Sequence, residues 1–67
     1  MHIYTLLNNK KATLEIDQNG QVITVFVGTQ RAERHESPKG VSWAILGKPY
    51  YRIFYENIAQ VLHHFHL

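Results

Sequence analysis

The chain has 67 residues and no cysteine, with 45% apolar and 18% charged residues; seven Lys/Arg against five Asp/Glu give a formal charge of +2, and five histidines are added to that. This length suits one domain, 1–67, with a thin core, because so short a chain buries only about 60% of the surface its unfolded form exposes. The composition excludes a disulfide scaffold, thiolate chemistry and disorder, and no apolar run approaches the roughly 20 residues that span a bilayer. The charge excess is too small to announce a nucleic-acid binder. Residues 1–7 lack the basic start and small-residue cleavage site of a signal peptide, so the expected location is the cytoplasm.

Residues 2–7 alternate in polarity and read as a first strand that turns back through Asn8-Asn9-Lys10. A two- or a four-residue loop there gives the same parity, with Ile3, Thr5 and Leu7 on the core face. Asn19-Gly20 then sits between two segments rich in β-branched residues, 11–17 and 21–28. This is a hairpin signal, because both central residues of a type I′ turn need φ > 0. A two-residue turn pairs Ile16 with Ile23, Leu14 with Val25 and Ala12 with Val27, and alternation puts all six on one face. The other face would carry His2, Tyr4, Leu6, Thr13, Glu15, Val22, Thr24 and Phe26. That is too apolar for a plain solvated surface, so the rest of the chain or a partner is expected to cover it.

Residues 29–40 have the polar composition of a long loop, with Ser37-Pro38-Lys39-Gly40 as a turn. Long loops in small domains tend to carry function. Residues 41–46 read as a fourth strand with Val41, Trp43 and Ile45 on one side. Tyr50 to Tyr55 has strand composition, yet Tyr51, Phe54, Tyr55, Ile58, Leu62 and Phe65 recur at helical spacing. Asn57-Ile-Ala-Gln60 resembles a capping box with Asn in the first place, which favours a helix start near residue 57. These signals predict a short fifth strand near 50–53 and a helix from about 55 to 66. The expected fold class is α+β: an antiparallel β-meander of four to five strands followed by one C-terminal helix.

Candidate chemistry is sparse. His63, His64 and His66 crowd the C-terminus, but a zinc site wants three or four converging ligands, and neither Cys nor a nearby Asp or Glu is on offer. Histidines also suit the unpaired carbonyls at a helix C-terminus, so no metal and no cofactor is expected. Ser37 and Ser42 lie in no nucleophile elbow, and Glu33, His35 and Glu36 are neighbours only in sequence. A general base needs a pocket to tune it, and the expectation is a protein that is not an enzyme.

Two binding functions fit better. In the first, Arg31, Arg34, His35 and Lys39 steer a protein partner while Tyr4 and Phe26 anchor it, since Tyr, Trp and Arg supply most interface energy. In the second, the ligand is single-stranded nucleic acid, with Arg31, Arg34, Lys39, Lys48 and Arg52 framing a groove, Trp43, Tyr50, Tyr51 and Tyr55 offering stacking faces, and Tyr4 and Phe26 as a stacking platform. Glu33 and Glu36 interrupt the basic segment and count against the second. A homodimer through one sheet face is a third arrangement, and no membrane is involved.

The segment Trp43-Ala-Ile-Leu-Gly-Lys-Pro-Tyr-Tyr-Arg, followed by Asn57-Ile-Ala-Gln-Val-Leu62, resembles the closing part of small phage-encoded proteins in which a strand ending in Tyr-Tyr precedes a capped helix. The whole chain, small and with its own Met1, is similar to anti-CRISPR and related host-takeover proteins of mobile elements. That resemblance implies a non-catalytic inhibitor acting in the host cytoplasm on a larger host protein or ribonucleoprotein complex. Many such proteins are acidic DNA mimics. This chain is mildly basic, which points instead to steric blocking of a protein surface. No functional residue is carried over from the resemblance.

Overall fold

A computed structural model of the chain describes residues 3–7, 9, 11–47 and 52–67. Its elements are β1 (Ile3–Leu7), β2 (Ala12–Ile16), β3 (Val22–Val27), β4 (Gln30–Ser37), β5 (Gly40–Gly47), β6 (Ile53–Tyr55) and α1 (Ile58–His64). The strands form one antiparallel sheet in the order β1-β2-β3-β4-β5-β6, each paired with its neighbour in sequence. The fold is therefore the expected antiparallel meander with a C-terminal helix, one strand larger than the upper bound read from the sequence.

The extra strand is β4, and it corrects the loop reading of residues 29–40. Val27 pairs with Gln30 across a two-residue Gly28-Thr29 turn. Gly28 has φ +58°, and Thr29 does not share the positive φ. This is the Gly-first, type II′ geometry whose twist matches flanking strands. At the other end Ser37 pairs with Gly40 across Pro38-Lys39, and the Ser37 hydroxyl accepts from the Lys39 amide at 3.2 Å. Between those turns all eight residues pair with β5, and the first four, Gln30 to Glu33, pair with β3 as well.

The β2–β3 hairpin reaches the expected Leu14–Val25 pairing by an unexpected route. Its turn holds three residues, because the Gly20 amide donates to the Asp17 carbonyl at 3.0 Å and Asp17 pairs with Gln21. The Asp17 carboxylate accepts from the Asn19 and Gln21 amides, an Asx turn that fixes the corner. Ile16 consequently faces Val22, not Ile23. A bulge at the Glu15/Ile16 step then absorbs Ile23 and restores Leu14 opposite Val25. Val22 thereby exchanges places with Ile23 and packs on the core. The first hairpin follows the four-residue alternative, with Leu7 opposite Ala12.

One face of the sheet is covered. Ala12, Val25, Ala32, Trp43, Ile45 and the helix residue Val61 are buried together, with Leu7, Leu14, Val22, Val27, Ile53, Tyr55, Ile58, Phe65 and Leu67 packed around them. The helix is shorter than expected because residues 53–55 remain in the sheet. Asn57 caps it, accepting from the Gln60 amide at 3.0 Å, while the Gln60 side chain returns to the Glu56 amide at 2.7 Å. At the other end His66, at φ +60°, closes the helix, with His66 donating to the His63 carbonyl and Leu67 to that of Leu62. These paired bonds form a Schellman motif, which drops Leu67 onto the core. The molecule is 34 × 31 × 18 Å, the short dimension being one sheet plus one helix.

Candidate functional site

Among the described residues no strand or helix lies over the sheet face opposite α1. Cross-strand partners point to the same side, so the pairing register gives its layout directly. One row crosses all six strands: Tyr4, Glu15, Thr24, Glu33, Ala44, Phe54. Beside it runs Leu6, Thr13, Phe26, Arg31, Leu46, and on the other flank His35 faces Ser42. Aromatic side chains thus stand at both ends of the central row, and Tyr4 (61% exposed) and Phe54 (64%) are open to solvent. Tyr4 leans toward Phe26, with ring centroids 6.4 Å apart and planes tilted by 42°. Such a pair adds roughly 0.5–1.5 kcal/mol beyond area burial and holds both rings upright.

The charges on this face answer one another. Arg31 Nε donates to Glu33 Oε2 at 2.9 Å, and the other Glu33 oxygen lies 3.7 Å from His35 Nε2. The Tyr4 hydroxyl reaches Glu15 at 3.4 Å. Alternation places Arg31, Glu33 and His35 on the same side of β4, which brings the acid between the two basic groups. An open cleft of about 340 Å³ lies over the short Ala44 side chain, lined by Glu33, His35, Ser42, Leu46, Arg52 and Phe54.

Of the sequence-derived contact residues, Tyr4, Phe26, Arg31 and His35 therefore share this face. Arg34 points the other way: it faces Trp43 across the ladder, pairs with Glu36, keeps only 15% of its side chain exposed and borders the start of α1. Lys39 sits in the exposed turn at the end of the β4–β5 hairpin, beyond the paired residues of the face. Among the nucleic-acid alternatives, Trp43 is a core residue at 3% exposure and has no free ring face for a base. Arg52 is exposed beside the cleft, while Lys48, Tyr50 and Tyr51 lie outside the described residues. No protein-family model, no curated protein and no solved structure matches the chain. The face must be read from its own chemistry.

Two residues on it escaped the sequence reading. Phe54 fitted the helical stripe, and Leu46 was seen only as a strand end. Had β4 been recognised, its parity would have carried the face from Phe26 through Arg31 to Leu46. Among the described residues no group of His, Cys, Asp and Glu could hold a metal ion. Two of the C-terminal histidines, His64 and His66, take local structural positions. His64 Nδ1 lies 2.9 Å from the Tyr55 hydroxyl with its ring edge-on to Phe65, and His66 is the left-handed closing residue. Among the described residues no helix is long and apolar enough to cross a membrane.

Proposed function

We propose that this chain is a non-catalytic binding module that docks through its bare sheet face onto a larger protein and acts by covering that protein's surface. The carrying observation is the face itself: solvent-exposed Tyr4, Leu6 and Phe54 on a six-stranded sheet, with no strand or helix over them among the described residues. Exposed apolar patches of this kind mark interaction sites on small proteins. Its charge favours a protein over a phosphate backbone. Among the described residues the face sets Arg31 and Arg52 against Glu15 and Glu33, and Arg31 is already paired. A nucleic-acid groove would need unopposed cations. The anti-CRISPR-like reading, in which the larger protein belongs to a host defence complex, rests on the resemblance described above.

The test is affinity capture from host lysate, with and without nuclease treatment, using the unmodified protein, Phe54→Ser and Lys39→Glu. Phe54→Ser is expected to lose the captured protein and Lys39→Glu to retain it, with both variants folded by circular dichroism. Capture that survives Phe54→Ser, or that disappears with nuclease treatment, would remove the face or the protein partner from the reading.

A further inference from the structure

β1 is an edge strand with β2 on one side and, among the described residues, no strand on the other. Natural proteins blunt such edges with charge, proline, bulges or very short strands. The sequence Ile-Tyr-Thr-Leu-Leu uses none of these devices, and its five-residue pairing with β2 runs without a shift. The exposed large apolar residues also gather here: Ile3 (60%), Tyr4 and Leu6 (56%) are three of the five found among the described residues.

We infer that β1 pairs antiparallel with β1 of a second copy about a two-fold axis at Thr5, joining two six-stranded sheets into one. The strand is self-complementary in that register. Thr5 faces Thr5 of the second copy; Tyr4 faces Leu6 on the bare side, and Ile3 faces Leu7 on the helix side. Each is a pair type that stabilises sheets, an aromatic with an aliphatic, two aliphatics, or two threonines. Backbone donors and acceptors left open by β2 find partners along the same five residues, and no charge is buried. The opposite edge is a poorer match: β6 has three residues, and β1-to-β6 pairing would be head-to-tail, building rings or filaments rather than a two-fold dimer. The two-fold places both helices on one side and both bare faces on the other, so the docking face doubles in width. The contact is short, so association should depend on concentration in the way of weak interfaces.

Sedimentation velocity of the purified protein across a concentration series should show a monomer–dimer equilibrium. Thr5→Lys sets like charges against each other at the axis, on an exposed side chain, and should abolish the dimer while leaving the circular dichroism spectrum unchanged. Because the chain contains no cysteine, Thr5→Cys gives one defined thiol, and directly opposed residues in an antiparallel pair lie within disulfide reach. Mild oxidation should cross-link Thr5→Cys at least tenfold faster than Phe54→Cys. A protein that stays monomeric throughout the series, a dimer that survives Thr5→Lys, or equal cross-linking of the two cysteine variants would each overturn the inference.

Discussion

Gly47 and Gly20 make a controlled comparison of what a single methyl group costs. Both have positive φ, +143° and +80°. A Cβ at Gly20 would meet nothing within 4 Å, whereas at Gly47 it would lie 2.6 Å from the Thr29 carbonyl oxygen and 2.8 Å from Gln30 Cα. Those are backbone atoms in the tight turn and ladder that open β4, so no side chain can swing aside. Gly20→Ala therefore carries only the left-handed penalty, about 1 kcal/mol. Gly47→Ala adds a φ region used almost solely by glycine and an overpacked contact, for a total of about 3 kcal/mol. A domain of this length is expected to hold about 3–10 kcal/mol in all, so the second substitution removes a large share. At roughly 4–8 °C per kcal/mol, the melting temperature should fall by about 5 °C for Gly20→Ala and about 15 °C for Gly47→Ala. Thermal and urea unfolding followed by circular dichroism measure both. Equal losses in the two variants would refute the close approach of Gly47 to the β3–β4 turn.

Three further outcomes follow from local geometry. Asn57→Ala removes the helix cap and should lower stability by about 1 kcal/mol in urea unfolding, with the loss recovered in Asn57→Ser. His66→Gly relieves a left-handed non-glycine residue at the helix end and should raise stability by about 0.5–1 kcal/mol; a decrease would show that the His66 side chain makes a stabilising contact. Arg34→Glu should destabilise by well over the roughly 0.5 kcal/mol typical of surface changes, because it sets a carboxylate against Glu36 beside buried Trp43. Arg31→Glu, on the exposed face, should cost less, and the two melting curves together check which way each side chain points.

Much of this fold can be read from the chain, and the exceptions have physical causes. The hairpin of β2 and β3 is legible because β-branched residues alternate around Asn19-Gly20. The Asp17 side chain nevertheless lengthens the turn by one residue, and the bulge restores parity, so the right faces emerge from a wrong turn. β4 is illegible by periodicity: in Gln-Arg-Ala-Glu-Arg-His-Glu-Ser only Ala32 is apolar, and charged residues stand on both faces. Its strand conformation comes from the flanking β3 and β5. The usable signal was punctuation: Gly28-Thr29 and Pro38-Lys39 frame eight residues, a strand's length. The candidate face was half legible. Tyr4 and Phe26 already share a face in the sequence pattern, but only the β4 register adds Arg31 and His35 to it and sends Arg34 to the other side.

The strand order has a consequence for how the chain comes into being. Every strand pairs with its immediate neighbour in sequence, and none waits for a distant one. Loop closure is thus short at each step, which favours fast, stepwise zippering from the first hairpin onward. The cover is synthesised after the sheet, since Val61 lies in α1, which follows all six strands in the chain. A nascent sheet without its helix would expose the apolar core face as well as Tyr4, Leu6 and Phe54 on the other, and a chaperone that recognises flat apolar surface would meet this protein before α1 docks rather than afterwards.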